Sequence, residues 1–143
     1  MKSLVNIALA VLAGLVVGSL VNMGIVNLGP WVIPLPEGAD ISSMERLRES
    51  MSLFSPVNFL PPFLGHALGA LAGSFVAATL AKKHRFAVAM GIGAFFLLGG
   101  ISAVVILGGP LWFKVTDLLL AYIPMGYLGA RLAGAIRPVR AVT

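Results

Sequence analysis

The chain has 143 residues, of which 59% are hydrophobic and only 10% charged, with a formal net charge of +5 and no cysteine. Soluble domains carry roughly 25% charged residues, so this composition excludes an ordinary water-soluble globule. The absence of cysteine excludes disulfides, a thiol nucleophile and cysteine-ligated metals. The positive charge does not point to nucleic acid, because the basic residues gather at the ends of apolar runs, where they set membrane topology.

The chain reads as one all-α membrane domain, residues 1–143, built from four transmembrane helices. The first span is about 4–28. Its apolar run exceeds the roughly 7–15 residues of a signal-peptide core, so it reads as an uncleaved span. Ala10, Gly14 and Gly18 recur every fourth residue and lead to Asn22, with Asn6 one step earlier. Small residues in such a series let two helices approach closely in lipid.

An outer loop, 29–58, follows. Pro30, Pro34 and Pro36 make its first part extended or turning. Residues 41–54 read as a short amphipathic helix, with Ser42 or Ser43 as its cap and Glu45 in its first turn. Ile41, Met44, Leu47, Met51 and Phe54 share one side of it. The favoured reading is a helix resting on the membrane, and the alternative is a lid over the bundle's outer mouth.

The second span, about 59–81, is the most informative stretch. Gly65, Gly69, Gly73, Ala77 and Ala81 form a four-residue ladder with His66 beside its first step. Successive steps drift by about 40° around an ideal helix, so the ladder sweeps past His66 and turns it toward a neighbouring helix. An ionisable group at that depth is a functional-site candidate. Lys82, Lys83, His84 and Arg85 then form a basic turn that suits acidic phospholipid.

The third span is about 86–107, and the fourth, about 110–136, opens on Pro110. Asp117, Pro124 and Arg131 are spaced by seven and share roughly one face, with Gly126, Ala130 and Gly134 opposite for close packing. Pro124 predicts a kink near Leu120, bracketed by Tyr122 and Tyr127. A weak likeness between the two halves of the chain reads as chance matching of glycine-rich helices, not duplication.

Lys2, Lys82, Lys83, Arg85, Arg137 and Arg140 fall on one side of a four-span arrangement. The positive-inside rule puts that side, with both termini, in the cytoplasm. Trp31 and Trp112 then lie at the outer interface. Counting along the helices places Asn22, His66, Ser102 and Asp117 in one layer, roughly 8–11 Å below the outer ends.

That layer is the candidate site: His66 as titrating group, Asp117 as its charge partner, and Asn22, Tyr122 and Ser102 as supporting polar groups. A carboxylate beside a histidine fixes its tautomer and orientation. For Asn22 and Ser102 the simpler role is interhelical hydrogen bonding, and Lys114 offers Asp117 a local surface partner three residues away. Gly14, Gly18, Gly65, Gly69, Gly73, Gly126 and Gly134 are assigned to helix packing. One histidine and one aspartate are too few for a metal site, and no phosphate loop, zinc motif or nucleophile elbow is present, so no cofactor is expected.

Three function classes follow. The leading one binds or transports a small ligand or protons through the outer polar layer. An accessory subunit of a membrane complex would use the layer as structural glue. A membrane-embedded enzyme acting on a lipid or quinone would use His66 as base. The expected partners are the lipid bilayer and either a second copy, through the small-residue faces, or a membrane-complex subunit.

Two strings, Pro62-Phe63-Leu64-Gly65-His66-Ala67-Leu68-Gly69 and Leu111-Trp112-Phe113 with Asp117-Leu118-Leu119-Leu120-Ala121-Tyr122-Ile123-Pro124-Met125, resemble a group of small uncharacterised four-span bacterial integral membrane proteins. The resemblance covers most of the chain. It implies a multi-pass protein of a bacterial inner membrane and carries no activity, substrate or site residues.

Overall fold

The structure, a computed structural model, describes residues 2–135. The described residues form an all-α bundle with α1 at Lys2–Val32, α2 at Met44–Ser50, α3 at Leu60–Leu80, α4 at Arg85–Leu107, α5 at Leu111–Leu120 and α6 at Ile123–Leu132. Two single 3-10 turns, Met51–Leu53 and Pro56–Phe59, lead from α2 into α3. Three stretches are long and apolar enough to cross a membrane: Ser3–Val32, Pro56–Leu80 and Arg85–Leu107. The outward side chains of α1, among them Leu4, Leu9, Leu12, Leu20 and Met23, are exposed. Such a continuous apolar surface requires a non-aqueous neighbour.

Helix α3 is the centre of the bundle and packs against α1, α4, α5 and α6. Its antiparallel contact with α1 is made of backbone. A Cβ built on Gly14 would lie 2.6 Å from the Gly73 carbonyl oxygen, and one on Gly73 would lie 2.7 Å from that of Gly14. Gly18 and Gly69 repeat the relation at 2.7 and 2.8 Å. The hydrogens in those Cβ positions therefore point at carbonyl oxygens on the facing helix, the geometry of reciprocal Cα–H···O contacts. Gly65 meets the Asn22 side-chain oxygen in the same way, at 2.8 Å.

Glycines outside the α1–α3 ladder do comparable work. A Cβ on Gly93 would approach the Tyr122 carbonyl at 3.1 Å and Gly126 Cα at 3.3 Å, and one on Gly129 would approach the Leu71 carbonyl at 2.7 Å. Gly134 has no neighbour within 4 Å of its Cβ position and a φ of 69°. It turns the chain after α6, and packing is not its role. The core between helices is correspondingly small-sided: Ala70, Ala77, Ala78, Ala89, Ala121 and Ala130 are fully buried.

Polar side chains fasten the helix ends. At one end of the bundle, Asn6 donates to the Leu80 carbonyl and accepts from the Lys82 amide, at 3.2 and 2.8 Å. Arg85 donates to the carbonyls of Ala78 and Ala133, at 2.7 and 2.6 Å. These bonds satisfy carbonyls that a helix C-terminus leaves free and bring the ends of α3 and α6 together beside the start of α1. Midway along the bundle, buried Ser74 donates to the Ala89 carbonyl at 2.9 Å and ties α3 to α4.

Three boundaries differ from the sequence expectation. First, α1 runs through Pro30 to Val32, because a proline near a helix end needs only the carbonyl four residues back to go without its amide. Second, the outer amphipathic helix is 44–50, not 41–54. Ser43 caps its start by accepting from the Arg46 amide, and the chain tightens into a 3-10 turn at 51–53.

Third, the expected fourth span is two ten-residue helices, α5 and α6, broken at Ala121–Tyr122. Pro124 cannot donate to the Leu120 carbonyl, and Tyr122 leaves helical geometry at φ −119°, ψ −73° and caps α6 instead. The single face expected for Asp117, Pro124 and Arg131 therefore does not exist. The expected end of this span at Ile136, and Arg137 and Arg140, lie outside the described residues.

Candidate functional site

His66 and Asp117 come together because their helices start at the same end of the bundle. From Leu60 to His66 and from Leu111 to Asp117 are both steps of six residues, or about 9 Å along each axis. The His66 Nδ1 lies 2.9 and 3.0 Å from the two carboxylate oxygens of Asp117. A carboxylate only accepts hydrogen bonds, so the chemistry puts a proton on Nδ1 and leaves Nε2 as the uncommitted ring nitrogen.

Tyr122 completes the cluster. Its hydroxyl donates to Asp117 Oδ2 at 2.9 Å, and its ring stacks on the imidazole with centroids 5.7 Å apart. The break before α6 makes this possible. Residues five apart on a continuous helix point about 140° away from each other, and the bend at Tyr122 returns its ring toward Asp117. Gly100 of α4 supplies the space, since any side chain there would collide with the Tyr122 phenol. Asp117 and Tyr122 are both 2% exposed, so the carboxylate and the phenol that bonds it are buried.

His66 and Asp117 form the base of a cavity of about 320 Å³. The C-terminal part of α1 with the residue after it, and the C-terminal part of α4, supply walls, with Val26 and Ile33 from the first and Ala103, Val104 and Leu107 from the second. Towards the other end of the bundle these helices pack together, with Ile7, Val11 and Leu15 against the cluster of Val88 and Ile92. The cavity lies between α1 and α4. Phe59 and Phe113, 4.7 Å apart between ring centroids, close it beside α5.

The outer segment covers this cavity. Ile41, Leu47, Met51 and Phe54, four of the five residues expected on the apolar side of the amphipathic helix, line it. Met44 is exposed. The segment is tied down by its own polar residues. The Asp40 amide donates to Ser50 Oγ at 2.8 Å, and that hydroxyl donates to the Asp40 carbonyl at 3.1 Å. The Asp40 carboxylate accepts from the Ser42 amide and from Arg46, at 2.8 and 2.6 Å. The Ser42 and Arg46 bonds hold the Asp40 carboxyl down to about 2, from an ordinary 3.8. Asn58 accepts from Ser55 and donates to the Pro34 carbonyl, fixing the return of the chain into α3.

The remaining candidates stand apart from the pair. Asn22 lies on α1 against Gly65 and Gly69, its side-chain oxygen buried without a conventional hydrogen-bond partner. Ser102 faces outward and donates to the Leu98 carbonyl of its own helix at 2.9 Å, so it leaves the expected layer. A one-residue error in angular position turns a helical side chain by about 100°, and depth counting carries no angular information. Asp117 takes His66 and Tyr122, not Lys114, as partners. Among the described residues no cluster of three or more metal-ligating side chains occurs.

Gly100, Ser74 and the Asp40–Ser50 link were not legible as parts of this arrangement. Gly100 carried one signal, the Gly99-Gly100 pair inside an apolar helix. The comparisons add no name to this geometry: no protein-family description, curated protein or solved structure matches the chain.

Proposed function

We propose that this is a multi-pass membrane protein that binds a small molecule in the covered cavity, with His66 as the contacting group and Asp117 and Tyr122 as positioning residues. The observation that carries this reading is the asymmetric use of the imidazole. One nitrogen is held by a buried carboxylate, which leaves the other for an occupant of the cavity. A histidine used only as glue needs no cavity beside it and no covering segment.

In this reading α5 and α6 together make the fourth pass. Broken helices are tolerated in lipid where the break is buried in protein, and here Ala121 and Tyr122 are buried. The end that carries Lys82, Lys83 and Arg85 faces the cytoplasm by the positive-inside rule. The end with Glu37, Asp40, Glu45 and Glu49 faces out, which puts the cavity in the outer half of a bacterial inner membrane. Transport remains part of the proposal only as far as binding is its first step.

The test is small-molecule analysis of protein purified in native lipid discs. Ala103→Trp fills the cavity from the α4 wall without touching the His66–Asp117 pair. The wild type retains a bound small molecule that Ala103→Trp lacks, with the two proteins equally folded and equally loaded with bulk lipid. Identical small-molecule content in the two would refute the proposal.

A further inference from the structure

We infer that the occupant is an uncharged amphiphile: a short apolar body with one hydroxyl head that pairs with His66. The inference rests on the binding reading above and names its ligand class. Four features of the cavity lead to it.

The walls are mostly apolar, with Val26, Ile33, Leu47, Val104, Leu107 and Phe113 among them; Asn27 and Asn58 are the polar side chains besides the His66–Asp117 pair, and the Asn58 amide is engaged with Ser55 and the Pro34 carbonyl. A body of hydrocarbon character gains from burial there, at roughly 25 cal/mol per Å². No lysine or arginine lines the cavity among the described residues, and its one carboxylate is committed to His66 and Tyr122. A charged head would therefore be desolvated without a counter-charge, which low-dielectric surroundings penalise heavily. At the base, one imidazole nitrogen remains unspent, and it donates or accepts according to its proton. A hydroxyl, which both donates and accepts, satisfies either state, whereas a carbonyl satisfies only the protonated one and a purely apolar occupant neither.

Volume sets the size. At the ~30 Å³ of a water-sized group, about 320 Å³ accommodates roughly ten heavy atoms. That is a ten-carbon alcohol or a ring with a short chain, and not a whole phospholipid. The head then lies about 9 Å along α3 from its start, at a depth that a membrane-dissolved molecule reaches and a strongly hydrated one does not.

The experiment uses three photoreactive probes on the full chain in lipid discs, each with a diazirine in a ten-carbon chain: an alcohol, a carboxylate and a trimethylammonium. Labelled peptides are mapped by mass spectrometry, and excess unlabelled 1-decanol tests saturation. The expected result is saturable labelling by the alcohol alone, on 26–35 and 103–108. It falls about tenfold in His66→Ala, the worth of a single hydrogen bond, and disappears in Ala103→Trp. His66→Gln, which keeps a polar head at the site, recovers part of the labelling and controls for folding.

Saturable labelling of the same peptides by either ionic probe, with none by the alcohol, overturns the ligand class and leaves the binding reading standing. So does a failure of all three probes when the purified protein still holds a small molecule that Ala103→Trp lacks. Failure of all three with no such molecule overturns both.

Discussion

At residue scale His66 Nδ1, the Asp117 carboxylate and the Tyr122 hydroxyl are spent on each other, and His66 Nε2 is left over. Asp117 accepts from His66 and Tyr122 while buried, so its replacement by alanine strands two groups at once. Each unsatisfied buried group costs about 1–3 kcal/mol, and Asp117→Ala should destabilise accordingly in equilibrium unfolding from mixed micelles. Asp117→Asn, which keeps the shape and an acceptor, should lose less. Ser102→Ala should stay within about 0.5 kcal/mol of wild type, because its hydroxyl is exposed and bonds only its own helix. The sequence pointed to His66 and Asp117 through their charge in apolar surroundings, and to Tyr122 through its place beside Pro124. It could not indicate Gly100, whose importance lies in the side chain it lacks.

At the scale of elements, the packing of α1 on α3 and the covering segment behave in opposite ways. The α1–α3 contact is backbone against backbone, with carbonyl oxygens where a Cβ would go. Backbone cannot step aside, so Gly73→Leu should part the helices at a cost of about 1–3 kcal/mol or more, read as a lower midpoint in the same unfolding assay. The ladder in the sequence announced this contact directly, since small residues at four-residue spacing have few other uses in lipid.

The covering segment is held by exposed polar bonds around Asp40 and has a pH signature. The carboxyl titrates at about 2 in the folded chain against an ordinary 3.8. Its depressed folded value means that its contribution is complete above the ordinary value and is lost as pH falls toward and through about 2. Amide exchange of residues 40–53 should therefore be level at and above pH 5 and speed up, relative to α3, as the medium is acidified below pH 4. An Asp40→Asn variant should lack that acid response. None of this was legible from periodicity, which gave α2 seven residues too many and carried no sign of the Asp40–Ser50 link across ten positions.

At the scale of the whole molecule, hydropathy indicated the long apolar helices, and geometry supplied what it could not. Three long apolar helices were readable because a bilayer demands about 20 uninterrupted apolar residues. The break between α5 and α6 was readable only as a kink, because a proline marks where a helical bond is missing and not how far the chain will turn. That turn has the largest consequence in the molecule, since it carries Tyr122 to Asp117 and separates a packing helix, α6, from a site helix, α5. The cavity between α1 and α4 was not readable at all: it depends on how two helices sit against a shared neighbour.

The claim at the centre is that His66 spends Nδ1 on Asp117 and keeps Nε2 for the cavity. The chain has two histidines, so a His84→Gln background leaves a single imidazole for nitrogen-15 solid-state NMR in bilayers. The account predicts a protonated, carboxylate-bound Nδ1 whose resonance moves in Asp117→Asn, and an Nε2 resonance that moves instead in Ala103→Trp. If neither substitution moves either resonance, His66 is neither held by Asp117 nor exposed to the cavity, and the account fails.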